Sequence, residues 1–396
     1  MKFVDIVGAR PQFIKLAPIL LAVGRHNQDH PDNRVDEVLV HTGQHYDYQM
    51  SQVFFDDFGL KSPDYHLGVG SGTHAYQTAE VLKRIEEVLL KEKPDLVMVY
   101  GDTNSTLSGA LAAAKLHIPV AHVEAGLRSF NRQMPEEINR VLTDHVSSFL
   151  FCPTETAVVN LRREGFRPIL DDGKLFAHPP AKNLFDIDYN NTSLVINTGD
   201  VMYDSVLQYS ELACRRSSIL RDLRLQSRGY ALATVHRAEN TDDPKHLRDI
   251  FRGLLKVAAS GLSVIVPLHP RTKKALSSLS PVLEDFGSSL RIIDPVSYLD
   301  MILLEKNARV ILTDSGGVQK EAFFFKVPCV TLRAETEWVE TIETGWNVLV
   351  GCDPEEIARA ALHSKAGDEG IWPYGDGRVA ERIIGHIAMH CNTGFR

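Results

Sequence analysis

Short apolar runs alternate with amphipathic helical stretches along almost the whole chain, and this alternation constrains the fold more than any other feature. In the first half the runs are Phe3–Val7, Val35–His41, Leu96–Tyr100, Pro119–Val123, Phe149–Cys152 and Ser193–Asn197. The pattern restarts with Tyr230–Val235, Ser263–Val266, Leu290–Ile293, Arg309–Leu312 and Cys329–Leu332. Buried strands that alternate with helices are typical of a parallel sheet covered on both faces. We therefore predict an α/β fold with two doubly wound, Rossmann-like domains.

The length supports two domains, because 396 residues exceed what one hydrophobic core usually organises. Between the halves, Arg167–Asn191 contains prolines and Asp/Asn clusters, which are typical of a surface excursion. We place the hinge near Gly199 and predict domains at 1–198 and 199–377. Ligands are expected at the carboxyl ends of the strands in both sheets.

Composition limits the classes of function. A net charge of −8 argues against a general nucleic-acid or membrane surface, and no apolar stretch approaches the roughly 20 residues needed to span a bilayer. The five cysteines show no paired spacing, so we predict reduced thiols in a cytoplasmic protein without a disulfide framework. The sequence also contains no typical metal-ligand constellation, and we predict chemistry without a metal or cofactor.

A phosphate-binding turn is predicted where Arg309–Leu312 leads into Asp314-Ser315-Gly316-Gly317. Two residues without Cβ let backbone N–H groups approach an anion, and Ser315 can cap the following helix. Alone, the motif also fits an ordinary glycine turn. Glu321, one helical turn further on, could accept hydrogen bonds from ribose hydroxyls, and Arg333 follows the next strand. Together these residues favour a nucleoside diphosphate.

Polar residues follow several strands of the first half. Arg10 is a candidate phosphate clamp or a surface ion-pair partner, and Asp102 is either a helix N-cap or an active carboxylate. Glu124 interrupts an apolar strand, and Glu136 stands in the first turn of a helix. Carboxylates crowded at one sheet edge acquire separated pKa values and can transfer protons near neutral pH. We therefore expect acid/base chemistry here.

The second half supplies polar residues after two further strands. His236-Arg237 follows one strand and His269 the next. A lone histidine at a strand end is more often structural. Beside carboxylates and a phosphate-binding arginine, however, His236 is a candidate proton donor or electrophilic partner.

Six motifs, in order, carry a resemblance that covers nearly the whole chain. They are Gly8-Ala9-Arg10-Pro11, Gly101-Asp102-Thr103, His122-Val123-Glu124-Ala125-Gly126, Pro135-Glu136-Glu137, His236-Arg237-Ala238-Glu239-Asn240 and Asp314-Ser315-Gly316-Gly317. This set resembles the non-hydrolysing UDP-N-acetylglucosamine 2-epimerases. The resemblance implies a glycosyltransferase-B arrangement with the cleft between the domains, a final helix at 378–396 returning to the first domain, and a homodimer.

The resemblance also implies a reaction and roles for individual residues. UDP would be eliminated across C1–C2 to give a 2-acetamidoglucal and would add back after protonation of C2 from the other face. The implied catalytic residues are Asp102, Glu124, Glu136 and His236. The implied substrate-binding residues are Arg10, Lys15, Arg237, His269, Ser315, Gly316, Gly317, Glu321 and Arg333.

Three departures from the family pattern affect this interpretation. Tyr46-Asp47 follows Gln44-His45 where many members carry a basic residue, so regulation by a second substrate molecule is not expected. The stretch Lys174–Asn191 resembles an insertion. The Phe-rich segment Phe323–Phe325 and Thr336-Glu337-Trp338 are closer to a branch that acts on UDP-2,3-diacetamido-2,3-dideoxyglucuronate, whose carboxylate Arg132 or Lys15 could bind.

Three other functions compete with this interpretation. A UDP-sugar-dependent glycosyltransferase would share the two-domain shape but would need only one catalytic base. A non-catalytic UDP-sugar sensor would have no use for a carboxylate in a buried strand. A hydrolysing epimerase cannot be distinguished by motif spacing alone.

Overall fold

The structure is a computed structural model that describes residues 1–44, 59–171, 173–177, 192–268, 270–277 and 290–391. The chain divides into two compact units, which we call unit 1 (Met1–Ser205 with the segment from Pro373 onward) and unit 2 (Val206–Trp372). The domain limits at 198 and 377 stay a prediction.

In unit 1, strands alternate with helices along the chain. They are β1 (Lys2–Val7), β2 (Asp36–His41), β3 (Tyr65–His66), β4 (Leu96–Tyr100), β5 (Val120–Val123), β6 (Phe149–Cys152), β7 (Ile169–Asp171), β8 (Lys174–Phe176) and β9 (Leu194–Asn197). The helices are α1 (Arg10–Asp29), α2 (His74–Glu92), α3 (Asn104–Lys115), α4 (Pro135–Val146) and α5 (Glu155–Arg163). Helix α6 (Val201–Arg216) continues into unit 2.

Unit 2 repeats the pattern. Its strands are β10 (Tyr230–Thr234), β11 (Ser263–Pro267), β12 (Leu290–Ile293), β13 (Val310–Thr313), β14 (Cys329–Thr331) and β15 (Asn347–Leu349). Its helices are α7 (Ile219–Asp222), α8 (Ala238–Thr241), α9 (Pro244–Ala259), α10 (Pro270–Ser277), α11 (Tyr298–Asn307), α12 (Gly316–Phe324), α13 (Val339–Glu343) and α14 (Pro354–Leu362). The last helix, α15 (Val379–Cys391), belongs to unit 1.

Both sheets are doubly wound. Among the described residues, unit 1 has the strand order β3-β2-β1-β4-β5-β6-β9-β7-β8 and unit 2 the order β12-β11-β10-β13-β14-β15. Every described pairing is parallel except β7 with β8. The strand order reverses beside β1 in unit 1 and beside β10 in unit 2, and such switch points open a crevice at the carboxyl ends of the strands. The predicted α/β fold class with two Rossmann-like units is confirmed.

Apolar strands hold each unit together. In unit 1, Val4 and Ile6 of β1 and Val97 of β4 pack with Val81 and Ile85 of α2. In unit 2, the buried face of α9 packs on the sheet through Leu247, Ile250 and Leu254. Removing each such side chain from water contributes about 1.5–3 kcal/mol, so these clusters fix where the strand ends lie.

The last helix is attached to unit 1 by polar contacts as well as packing. Asp204 Oδ2 accepts a hydrogen bond of 2.8 Å from Ala380 N at the start of α15. Burial raises the pKa of Asp204 to about 6. Arg382 donates to the carbonyl oxygen of Thr198 at 2.7 Å, and Arg25 pairs with Glu381 at 2.8 Å.

None of the helices in the described ranges is long and apolar enough to cross a membrane.

Candidate active site

Unit 1 brings the predicted strand-end residues to one sheet edge. Ile6 of β1 is in register with Val99 of β4, and Tyr100 of β4 with Val123 of β5. The segments that follow these strands therefore emerge side by side. They begin with Gly8, Gly101 and Glu124, and they carry Arg10 and Asp102.

The backbone after β4 is fixed by side chains from other elements. The carbonyl of Tyr100 accepts hydrogen bonds from Gln12 Nε2 at 2.9 Å and Thr106 Oγ1 at 2.7 Å. The carbonyl of Gly101 lies 2.7 Å from His122 Nε2, and that of Asp102 accepts from Asn139 Nδ2 at 2.9 Å. Three successive carbonyl groups are thus held, so the position of Asp102 is well defined.

Asp102 is an active-site carboxylate candidate and not a helix cap. Thr103 is the N-cap of α3, and its side chain accepts a hydrogen bond from Thr106 N. The capping interpretation of Asp102 is therefore wrong. Its Oδ2 instead lies 2.6 Å from a guanidinium nitrogen of Arg140, while the Asp102 side chain remains 29% exposed. The carboxylate is paired but still accessible.

Glu124 is the most constrained carboxylate at this edge. Its φ of 75° lies in the left-handed region, which costs a non-glycine residue of order 1 kcal/mol. The N–H groups of Glu124 and Ala125 both donate to the carbonyl of Phe151, at 3.1 and 3.0 Å. Glu124 Oε1 lies 3.1 Å from Lys15 Nζ, with only 8% and 6% of the two side chains exposed. Glu124 therefore lies just after β5 and does not interrupt it, and its carboxylate belongs to a buried ion pair.

The first turn of α4 carries two acids in different environments. Pro135 opens the helix, and Glu136 is half-buried. Glu137 is 2% exposed and accepts hydrogen bonds from the backbone N–H groups of Ser129 at 2.9 Å and Phe130 at 3.0 Å. Glu137 therefore anchors the preceding loop, whereas Glu136 is the more accessible of the two.

His122, Asp144 and Arg128 form a buried cluster next to the segment that carries Asp102. The sequence motifs did not predict that these three side chains meet. His122 Nδ1 is 2.7 Å from Asp144 Oδ1, and Arg128 donates to Asp144 Oδ2 at 2.7 Å. Burial alone would raise the pKa of Asp144, but the His122 hydrogen bond and the Arg128 charge hold it below its ordinary value. Because the other partner of His122 is the Gly101 carbonyl, both ring nitrogens donate when both bonds form. The cluster supports the backbone beside Asp102.

The turn after β1 is occupied by a side chain from its own helix. Gln12 Oε1 accepts hydrogen bonds from the N–H groups of Gly8 at 2.7 Å and Ala9 at 3.0 Å. A Cβ on Gly8 would lie 2.0 Å from Thr42 Oγ1, so glycine is required there. Arg10, at the first position of α1, is exposed.

In unit 2, Asp314 organises the second group of predicted residues. Its buried carboxylate accepts hydrogen bonds from the backbone N–H groups of His236, at 3.0 and 3.1 Å, and Arg237, at 3.0 Å. Asn240 Nδ2 donates to the same carboxylate at 3.1 Å, and His236 Nδ1 lies 3.4 Å from Asp314 Oδ1. The His236 side chain is 38% exposed. Asp314 thus ties the segment after β10 to the turn after β13.

The predicted phosphate-binding turn begins α12. Ser315 occupies the N-cap position, but among the described residues its side chain accepts no capping hydrogen bond, so the predicted side-chain cap is wrong. Its hydroxyl is consequently not used to cap the helix. Gly316 and Gly317 form the first turn. A Cβ on Gly316 would lie 2.7 Å from Glu337 Oε1 and 3.0 Å from Trp338 Nε1, which explains the glycine.

Arg333 is buried between two carboxylates. Its Nε pairs with Glu239 at 3.0 Å, and a terminal nitrogen pairs with Glu337 at 3.2 Å. Burial opposes the charge, but these two carboxylates raise the pKa of Arg333 above its ordinary value. Arg237, 27% exposed, lies 3.9 Å from the other oxygen of Glu337. Arg237 is therefore the more accessible guanidinium for an anion.

The remaining predicted residues have mixed outcomes. Glu321 is 4% exposed, and its Oε1 accepts a hydrogen bond of 3.0 Å from the Tyr298 hydroxyl, which the sequence did not indicate. His269, Tyr46 and Asp47 lie outside the described residues, as does most of the Lys174–Asn191 stretch. Within the described ranges, no group of three or more His, Cys, Asp and Glu side chains could hold a metal ion.

The chain is similar to known proteins of one family. The model of the family "UDP-N-acetylglucosamine 2-epimerase" matches residues 28–388. A UDP-N-acetylglucosamine 2-epimerase homolog of Methanococcus maripaludis is 50% identical over 388 residues, covering 97% of this chain and 98% of the relative. The UDP-2,3-diacetamido-2,3-dideoxy-D-glucuronate 2-epimerase of Pseudomonas aeruginosa is 46% identical, covering 98% and 99%. The crystal structure of the Methanocaldococcus jannaschii UDP-GlcNAc 2-epimerase with UDP-GlcNAc and UDP matches with a TM-score of 0.83 at 43% identity, covering 98% and 100%.

Proposed function

Because the chain belongs to the UDP-N-acetylglucosamine 2-epimerase family, we propose that it inverts C2 of a UDP-linked 2-acetamido sugar, converting UDP-N-acetylglucosamine into UDP-N-acetylmannosamine. One observation carries the proposal. Asp102 and Glu124 follow neighbouring parallel strands, and each carboxylate has a cation within 3.1 Å. Two fixed, charge-balanced carboxylates at one sheet edge suit proton transfer to and from a carbon acid.

In the proposed reaction, a carboxylate removes the C2 proton while the C1–O bond breaks and the electron pair leaves with UDP. The product of this step is a 2-acetamidoglucal with a C1–C2 double bond. Protonation of C2 on the opposite face and return of the UDP oxygen to C1 complete the inversion. Asp102, Glu124 and Glu136 are the proposed proton-transfer groups, and water must be kept from C1 until UDP adds back.

Unit 2 supplies the groups that we propose for the leaving diphosphate. The first turn of α12 at Ser315–Gly317 presents backbone N–H groups, and helix N-termini favour anions. Arg237 adds a partly exposed positive charge, while His236 is held against Asp314. Glu321 is the proposed ribose contact in unit 2, and Arg10 of unit 1 is a further proposed UDP contact. Charge developing on the diphosphate is stabilised best by donors that are already fixed, which is the role of the Asp314 hydrogen bonds.

The substrate class has a second candidate because of the 46% identical relative named for the diacetamido-glucuronate. A uronate carboxylate would require an additional cation. Lys15 is already paired with Glu124 and only 6% exposed, whereas Arg132 is exposed. We place UDP-N-acetylglucosamine first because the solved relative described above binds it, and the pairing of Lys15 removes one of the two candidate cations for a uronate. Kinetics on both sugars tests this order: kcat/KM more than about a thousandfold higher for the uronate, roughly 4 kcal/mol of differential transition-state binding, would reverse it.

The reaction class is tested by NMR of UDP-N-acetylglucosamine with the enzyme in D2O. We expect deuterium at C2 in intact UDP-sugar together with signals of the C2 epimer. Release of UDP and free sugar would show hydrolysis instead. Turnover that occurs only after an acceptor is added would show a glycosyltransferase, and binding without exchange would indicate a sensor.

The predicted homodimer and cytoplasmic location are also proposals. Light scattering on the purified protein should give about twice the chain mass of 44.2 kDa. A mass equal to one chain at micromolar concentration would contradict the dimer.

A further inference from the structure

Asp5 lies in the middle of β1 and is wholly buried. It is 0% exposed, and its Oδ1 accepts a hydrogen bond of 2.5 Å from the Tyr100 hydroxyl on β4. Val4 and Ile6, on either side of Asp5, pack with α2, so alternation along the strand directs Asp5 to the opposite face of the sheet. Burial of an unpaired carboxylate is costly, so an aspartate in this strand needs a compensating interaction.

A second acid, Glu37 of the neighbouring strand β2, meets Asp5 on this face. Phe3 is in register with Glu37 and Asp5 with Leu39, so the Asp5 and Glu37 side chains share one face of the sheet. Their carboxyl groups are close enough for a hydrogen bond to each other. The Glu37 side chain is 8% exposed, and its Oε2 lies 2.8 Å from Lys61 Nζ. Glu37 therefore has a cation of its own.

The remaining oxygens of the two acids lack a hydrogen-bond donor. Asp5 Oδ2 and Glu37 Oε1 are both buried, and no donor of the described residues reaches either atom. Two ionised carboxylates would bring together only acceptors and two like charges. One proton on Asp5 would make its Oδ2 a donor to Glu37 and leave a single negative charge, which Lys61 balances. Burial and the Glu37 charge accordingly raise the pKa of Asp5 well above its ordinary 3.8.

The charged groups around the pair attach the segment before β3 to β2. Lys61 Nζ lies 2.9 Å from Asp64 Oδ2 and donates to the Glu37 carbonyl oxygen at 2.8 Å. Asp64 Oδ2 also accepts from Leu39 N at 2.8 Å. The paired ionisable groups of the adjoining elements have partners elsewhere, namely Lys15 with Glu124 and Arg25 with Glu381 from α1, and Lys2 with Glu92 from the start of β1. Residues 61–64 are thus held to β2 through the same lysine that balances the acid pair.

We propose that Asp5 and Glu37 share one proton in the folded protein at neutral pH, and that this proton makes the attachment of β2 and residues 61–64 to β1 sensitive to pH. The pair is independent of the proposed function, because neither acid belongs to the proposed site. Since folding raises the pKa of Asp5, its contribution to stability is fully present below pH 3.8 and is lost as the pH rises through the folded-state value. Above that value the two ionised acids repel each other at this edge of the unit 1 sheet.

Asp5→Asn keeps the shape of the side chain and gives Glu37 a permanent donor. We expect the ratio of the wild-type to the Asp5→Asn unfolding constant to rise about tenfold per pH unit from about pH 5 to 7, since only wild type releases a proton on unfolding. Urea unfolding measures this ratio, and the contribution of Asp204 cancels because both proteins contain it. Asp36→Asn, at the exposed start of β2, is the control and should give a constant ratio. A constant ratio for Asp5→Asn as well would overturn the proposal.

Infrared spectroscopy of wild type with aspartate labelled by carbon-13 at the side-chain carboxyl detects the proton directly. At pH 8 Asp204 is ionised, because its pKa is about 6. We expect a protonated-carboxyl band that shifts with the label and is lost in Asp5→Asn. The band should move to higher frequency in Tyr100→Phe, because Tyr100 no longer donates to the Asp5 carbonyl oxygen. The wild-type spectrum and Tyr100→Phe give the answer even where Asp5→Asn does not fold. Absence of the band at pH 8, or a band that Tyr100→Phe leaves in place, would contradict the shared proton.

Discussion

Arg140 joins two carboxylates of unit 1, since its guanidinium lies 2.6 Å from Asp102 and 3.3 Å from Glu137. Asp102 follows β4, and Glu137 holds the loop before α4 through the N–H groups of Ser129 and Phe130. One buried arginine therefore connects the candidate proton-transfer carboxylate to the loop that borders it. A displacement of this loop would therefore shift Arg140 and change its contact with Asp102.

Asp102→Asn should lower kcat by at least about a hundredfold, the low end of a general acid/base contribution. Asparagine keeps an oxygen for Arg140 but cannot take a proton at neutral pH. UDP affinity measured by calorimetry should stay within about threefold. Glu87→Gln, on the exposed face of α2, is the matched control and should leave both values unchanged. Parallel loss of UDP binding and turnover would assign Asp102 to ligand binding.

Arg333→Met should destabilise the fold by about 3 kcal/mol, because it leaves Glu337 buried without its main cation and Glu239 unpaired. Urea unfolding measures this change. Arg359→Met, which breaks a surface pair with Glu356, should change stability by less than about 0.5 kcal/mol. A stable Arg333→Met that only loses UDP affinity would show that Arg333 serves the ligand directly.

Gly316→Ala should lower both stability and UDP affinity, since its Cβ would press on Glu337 and Trp338 at 2.7 and 3.0 Å. We expect a loss of about 1–3 kcal/mol in unfolding free energy. Gly385→Ala in α15 has nothing within 4 Å of its Cβ and should instead stabilise by about 0.5–1 kcal/mol. Thermal unfolding with and without UDP distinguishes the two variants, and equal effects would mean that the turn can adjust.

Asp204 gives a pH-dependent contribution to stability. Its folded-state pKa is raised from 3.8 to about 6, so the neutral form is favoured by folding. The contribution is fully present below pH 3.8 and is lost as the pH rises through about 6. Asp204→Asn should therefore be more stable than wild type at pH 8, by about 1–3 kcal/mol, with the difference vanishing near pH 4. Urea unfolding at the two pH values checks this, and a variant that is less stable at pH 8 would contradict it.

Buried strands could be predicted from the sequence because each is a continuous apolar run between helical stretches. Leu96–Tyr100 and Phe149–Cys152 have the predicted limits. The two-residue β3 and the three-residue β15 were not predicted, because two or three residues are too few to show a hydrophobic pattern. These two strands form through their pairing with β2 and β14, respectively.

The strand ends that carry the candidate site could also be predicted, but the pairings there could not. Lys15 meets Glu124, and Arg140 meets Asp102, across more than thirty residues of chain. Such contacts depend on how helices are placed over the sheet. Arg140 did leave a signal, since it stands one helical turn after Glu136 and Glu137, where a cation can balance acids.

The Gln12 side chain makes the two Rossmann-like units chemically unequal. Its amide oxygen accepts hydrogen bonds from the Gly8 and Ala9 N–H groups, so a side chain of the same unit already uses these donors of the turn after β1. In unit 2, by contrast, the Ser315 side chain at the start of α12 makes no capping hydrogen bond among the described residues. The two turns therefore differ through their side-chain contacts, although both sheets share the doubly wound topology.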